Sequence, residues 1–380
     1  MTRRALVIGF VLVLVIGLGT PYSDLVMQGT WVGLTSFPIS SFFLLLVLVT
    51  VVNVVPRRLG RGLDRSELLV IYCMMLVAAG IPSFGLTGLL IPYLAGPFYF
   101  ARPENKWEDI LWPNLPDWLH APPGPVSTGL YEGLKPGAPI PWGAWVGPLL
   151  AWTVLAFSVY VVFFGLSTLL RRRWVDDEKL VFPLVHLPLA VTHYEEPAEL
   201  VPAFFRNTTM WVFFAIPFLI HAVNGLHHYY PVIPGINVHR IPLRFLFSII
   251  GLAYLLPSEL SFSLWFFYFF FLIQQVIGSA VGFPMPAVQA YGTRRFVAHQ
   301  MIGGILLNFV LGMVAARPRL KEIWQRVNGS ARQDPPIDAG EAMPYPLAFW
   351  GGLIALAAVC VWGAAAGAGF GSTLLLFVLY

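Results

Sequence analysis

Charge is what this sequence has least of. Its 380 residues include 23 Lys and Arg and 19 Asp and Glu, 11% in all, against 57% hydrophobic residues and a mean hydropathy of +0.73. A soluble domain carries about 25% charged residues, so these few charges could not coat a globule of this size, and a water-soluble fold is excluded. The same hydrophobicity excludes a disordered chain. Cysteine is nearly missing as well. Cys73 and Cys360 both lie inside apolar runs, which excludes a disulfide-stapled scaffold. There is no Walker A loop, no GxGxxG after a strand and no GxSxG. A single-chain ATP-driven pump is therefore excluded, and no cofactor is expected.

What the sequence has is apolar length. A bilayer core of about 30 Å needs about 20 apolar residues per helix. Eight runs approach this: Ala5 to Pro21, Phe37 to Val55, Glu67 to Tyr93, Trp142 to Leu170, Thr208 to Leu226, Ile241 to Leu256, Ser261 to Gly282 and Gln300 to Ala316. A ninth starts near Leu347, and the chain is uncharged from there to Tyr380. The fold class expected is all-α, a polytopic transmembrane helix bundle of about eight to ten spans, forming a single domain over residues 1–380. The last nine residues, Ser372 to Tyr380, rise only about 13 Å as a helix. This end therefore reads as a tenth span cut short, the chain being the N-terminal part of a longer protein.

The basic residues fall in short clusters between the runs: Arg3 and Arg4, Arg57 to Arg65, Arg171 to Arg173, and Arg317 to Arg332. That is the pattern of topology determinants rather than of a phosphate-tracking face, so nucleic acid is not an expected partner. With the N-terminus cytoplasmic, the alternate loops hold 16 of the 23 Lys and Arg on its side and 7 opposite, the bias the positive-inside rule requires. The sixth run is the weakest, with 14 residues between Arg244 and Glu259, a length that also fits a re-entrant helix. A re-entrant reading would put the Arg317 to Arg332 cluster outside, so a spanning helix is preferred. The first run reads as a retained helix, because no small-x-small cleavage site follows it.

Local chemistry marks two junctions. Asp64 and Glu67 have the spacing of a capping box for the third helix. Asp176, Asp177 and Glu178 precede the apolar segment from Leu180 in a similar way, a partial hint of a repeated two-helix unit. The long non-cytoplasmic loop, residues 96–141, is rich in proline and contains Trp107, Trp112 and Trp118. Such a loop suits the headgroup zone, and as a lid it would cover a binding site.

An ionisable side chain at bilayer depth is costly and points to function. Glu259 is the strongest case, in Pro257-Ser258-Glu259-Leu260-Ser261-Phe262-Ser263, the only acidic residue between Glu199 and Glu322. Pro257 removes a backbone donor beside it. Two readings are open: a solvated residue at a cytoplasmic turn, or a carboxylate that binds a cation or carries a proton with Ser258, Ser261 and Ser263 as hydroxyl neighbours. On the fifth run His221, Asn224 and His228 share a helical face, with His227 and His239 nearby. No HExxH or Cys partner sits at ligand spacing, so no metal site is assigned, and His221 and Asn224 are expected as polar groups facing the same cavity as Glu259. Gln274, Gln275 and Asn308 read as helix-to-helix glue.

Taken together, Arg65 to Tyr72, Trp107 to Leu111, Pro116 to Leu119, Trp174 to Pro183, Asn224 to His227 and Ser261 to Tyr268 resemble a family of uncharacterised bacterial polytopic membrane proteins, catalogued as a domain of unknown function. The resemblance covers nearly the whole chain and implies a longer protein in the bacterial inner (plasma) membrane. Asp177-Glu178-Lys179-Leu180-Val181-Phe182-Pro183 is also similar to a stretch of the oligopeptide transporter superfamily, which implies proton-coupled uptake through a helical bundle. Here Leu184-Val185-His186-Leu187 replaces that superfamily's Ser-Gly-Thr-Ala-Thr continuation.

The expected function is that of a secondary transporter or permease-like protein for a small solute, bathed in lipid and driven by protons or sodium. Its rivals are a membrane component that docks or assembles envelope material through the Trp-rich loop, and a membrane-embedded enzyme acting on a lipid-linked substrate through His227, His228, His239 and Arg240.

Overall fold

The computed structural model describes every residue except 1, 29–31, 34–36, 197, 237–246, 283–286, 289–292, 331–336 and 380. Among the described residues the regular structure is helical, apart from a two-residue antiparallel pair, Ala287–Val288 with Thr293–Arg294. Among the described residues seven helices are long and apolar enough to cross a membrane. They are α1 (Arg3–Val26), α2 (Ile39–Arg58), α5 (Trp142–Asp177), α6 (Thr208–Tyr229), α8 (Ser258–Ala280), α9 (Val297–Val327) and α10 (Tyr345–Ala365). Large apolar side chains point outward along all of them, for example Phe213, Phe267, Leu307 and Ile354. Surfaces of that kind suit lipid, and the chain belongs with multi-pass membrane proteins.

The third apolar run does not form one span. It breaks into α3 (Arg65–Ala79) and α4 (Thr87–Tyr99), joined by a 3-10 turn at Ser83–Gly85. Pro82 has no amide hydrogen to give and disfavours the helical conformation at Ile81. Ser83 then takes a left-handed φ of +53°. The turn is so tight that a β-carbon at Gly85 would lie 2.2 Å from the Gly80 carbonyl oxygen, which only glycine avoids. Of the sixth run, residues 241–246 lie outside the described residues, and the remainder forms α7 (Phe247–Tyr254), eight residues long. The ninth run also divides, and α11 (Phe370–Leu379) folds back on α10, with Thr373 seated against Gly363.

The chain forms two compact units, Met1–Ile91 with Val181–Ser261, and Pro92–Leu180 with Phe262–Tyr380. In the first, α1 lies along α3. Leu68, Ile71 and Met75 form one stripe of α3 at helical spacing, buried with Ile16, Leu45, Val49 and Val191. In the second, α5 and α10 pack antiparallel. Gly165 meets Ala348 and the Trp362 indole donates to Ala151 O at 2.9 Å, so fourteen residues on one helix match fourteen on the other.

The basic clusters meet their partners at helix ends. In the first unit Arg4 reaches Arg61 O and Gly62 O, while Arg57 donates to Glu199 O at 2.6 Å and lies over the Tyr194 ring. In the second, Arg171 pairs with Glu341 at 2.5 Å, Arg319 with Asp177 at 2.9 Å and Arg326 with Asp338 at 3.1 Å. Segments with the most Lys and Arg are therefore gathered at one end within each unit.

Candidate functional site

The residues singled out around Pro257 lie at the start of α8, where Ser258, Glu259 and Ser261 are exposed. These three occupy its first turn, and the Ser261 amide donates to Pro257 O at 3.0 Å. Ser263 follows one turn after Glu259 on the same face. His221 and Asn224 lie on a different helix, α6. His221 meets Phe247 edge-on at 6.2 Å between ring centroids. The Asn224 amide is engaged on both sides by one residue, donating to Ile236 O at 3.1 Å and accepting from Ile236 N at 2.7 Å. His227 Nδ1 lies 2.5 Å from Ile233 O. Asn224 and His227 thus hold the segment after α6 against the helix end. His239 and Arg240 lie outside the described residues.

A second carboxylate, which the reading of the sequence passed over, is enclosed where Glu259 is exposed. Asp24 is 5% exposed. It sits in the π-helical last turn of α1 and accepts from the Val32 amide at 3.4 Å. That turn packs against Ser83–Gly85, the break between α3 and α4. Gly33 closes the third side: a β-carbon there would lie 3.0 Å from Ala79 O and 3.2 Å from the Thr20 methyl. Asp24 is the only Asp, Glu, Lys or Arg between Arg4 and Arg57, and that isolation was the available signal.

Glu67 is also a buried carboxylate, but of a different kind. It lies in the first turn of α3, a fifteen-residue helix, and completes the expected capping box with Asp64. Arg4 clasps it with both arms, at 2.5 and 2.6 Å, and Thr2 donates to it as well. The hydrogen bonds from Arg4 hold its carboxyl well below the usual carboxylate range, at about 2, against the opposing effect of burial. A site so fully paired has no capacity left for a ligand. Its role is to lock α1 to α3.

A match to a family described only as being of unknown function, DUF6785, runs over residues 1–380. The chain belongs to DUF6785. No curated protein and no solved structure matches it. Among the described residues of this DUF6785 chain, no three His, Cys, Asp or Glu side chains converge as metal ligands would.

The Trp-rich loop of the DUF6785 chain is folded onto its own unit. The Trp112 indole donates to Pro97 O at 3.1 Å, Tyr131 OH to Pro92 O at 2.7 Å and the Trp152 indole to Leu119 O at 3.0 Å. Trp118 meets Trp362 at right angles with centroids 5.5 Å apart, and Tyr99 stacks on Tyr131 at 4.4 Å. Indole and phenol groups that are otherwise costly to bury find carbonyl partners, so proline-rich sequence here still gives a defined surface.

Proposed function

We propose that this chain is a secondary transporter or permease-like protein for a small solute in the bacterial inner membrane, its N-terminus cytoplasmic. The observation that carries the reading is the interruption of an apolar run at Gly80–Leu86 with a carboxylate, Asp24, buried against it. Broken helices with free backbone groups beside a charge are how membrane proteins build solute and ion sites without exposing backbone to lipid. The likeness of Asp177 to Pro183 to the oligopeptide transporters points the same way. Glu259 is the coupling carboxylate in this reading, with Ser258, Ser261 and Ser263 around it and His221 and Asn224 as further polar groups.

The test is uptake into proteoliposomes from a panel of small solutes under a proton or sodium gradient. Glu259→Gln is expected to abolish gradient-driven accumulation while leaving exchange of solute across the bilayer. Unchanged accumulation in that variant would remove the coupling role.

The folded Trp-rich loop favours a second reading, docking of an envelope partner. Deleting residues 106–133 is expected to abolish partner capture under this reading and to leave solute flux intact, measured by co-purification and by uptake on the same preparation.

A further inference from the structure

We propose that the break between α3 and α4 holds a sodium ion, with the Asp24 carboxylate as its charged ligand and the Thr20 and Ser83 hydroxyls as neutral ones. The site is separate from Glu259, and only its use as a coupling site rests on the transport reading above.

The first argument is electrostatic. Asp24 is enclosed at 5% exposure, and among the described residues no Lys, Arg or His is paired with it. Among the described residues its one hydrogen bond, from Val32 N, is long at 3.4 Å. A carboxylate taken out of water with so little compensation requires a counter-charge.

The second argument concerns the hydroxyls. Elsewhere in this chain a helical Ser or Thr donates to the carbonyl four residues back, as Thr50, Thr153, Ser158 and Thr168 do at 2.7 to 2.9 Å. Thr20 and Ser83 do not. They are 2% and 1% exposed, yet among the described residues neither hydroxyl has a partner. Leaving a buried hydroxyl unpaired is costly, and at Ser83 the left-handed φ of +53° adds to that cost.

These groups converge. Thr20 lies one helical turn before Asp24 and on the same face, and Gly33 sits between Thr20 and Ala79 O. The Ser83 turn is packed on the Asp24 turn. Ala79 ends α3, so its carbonyl is among the last four, which lack helical partners, and the negative end of the helix dipole is directed here.

The donor set selects the ligand. One carboxylate, two hydroxyls and a carbonyl are all oxygen, the preference of a hard cation. A single negative charge balances a monovalent ion, whereas a divalent one would leave surplus charge in an apolar setting.

The test uses the full chain in nanodiscs with ²²Na⁺ as probe and neither solute nor gradient present. Saturable binding is expected, displaced by unlabelled sodium and not by potassium or choline. Asp24→Asn is expected to lose it. Thr20→Val and Ser83→Ala, each removing one neutral ligand, are expected to weaken it about tenfold. Asp117→Asn, in the exposed loop, should leave it unchanged. If Asp24→Asn does not fold, Thr20→Val keeps the charge and decides the matter. Absence of saturable binding, binding unchanged in Asp24→Asn or in Thr20→Val, or displacement by potassium as effective as by sodium would overturn the proposal. Sodium binding without solute flux would count against the transport reading alone, and flux without sodium binding against this site alone.

Discussion

Replacing Glu67 with Ala is expected to destabilise the protein by about 3 kcal/mol, the scale for breaking an enclosed ion pair from one side. The change removes the carboxylate that Arg4 and Thr2 hold and half of the capping box that starts α3. Arg4 itself is half exposed and can turn to water, which keeps the loss at the lower end of that scale. Glu67→Gln retains an acceptor for the Asp64 amide and should cost about half as much. The pH dependence has a definite sign. The carboxyl of Glu67 is held down to about 2 when folded, against an ordinary value of 4.5. Its contribution is therefore complete above about pH 5 and is lost as pH falls toward 2. Thermal unfolding in detergent between pH 3 and 7 should show wild type losing more stability on acidification than Glu67→Ala. Parallel curves would show that the pair contributes nothing.

Gly165→Leu is expected to separate α5 from α10. A β-carbon at this position would lie 2.7 Å from Ala348 O and 3.6 Å from the Gly352 Cα, so the new side chain meets backbone and nothing can turn aside. Overpacking of this kind costs about 1–3 kcal/mol, and here it also lengthens the Trp362 to Ala151 hydrogen bond on the same pair of helices. Small residues let membrane helices approach closely enough for dispersion to hold them, so the loss should appear as a lower melting temperature and as earlier proteolysis between residues 337 and 344. Gly165→Ala, with a single methyl, should show a smaller effect of the same sign. A Leu variant as stable as wild type would show that the helices are held chiefly by their charged ends.

Several parts of this arrangement were legible from the sequence because they depend on neighbours. The long apolar helices follow from run length alone, and the Asp64–Glu67 capping box follows from a three-residue spacing. The break at Gly80–Leu86 was not legible, because Ile81, Pro82 and Phe84 keep the run apolar and hydropathy does not sense a left-handed Ser83. Asp24 is an isolated charge in the sequence, but its burial depends on Gly33, Ala79 and Ser83, up to 59 residues away. Glu259 is the more conspicuous in sequence, because Pro257 and three serines mark a break within a single short motif. The ion pairs from Arg171 to Glu341 and from Arg319 to Asp177 join residues 170 and 142 positions apart, and nothing local specifies them.

Two helices of the second unit are longer than a bilayer requires. α5 and α9 contain 36 and 31 residues, about 54 and 46 Å along their axes, against a hydrocarbon core of about 30 Å. Arg319, near the C-terminal end of α9, pairs with Asp177 at the end of α5, and this fastening fixes the two ends to each other rather than to any depth. The surplus turns act as a reserve. In α5 residues 142–170 carry no charge, so lipids with longer acyl chains can submerge more of that helix before Arg171 is drawn under, and shorter chains can be met by tilting, whereas the extra turns of α9 already carry Arg317, Arg319 and Lys321. The protein should therefore tolerate changes in membrane thickness in this half, where a helix cut to the minimum length would have to deform the bilayer.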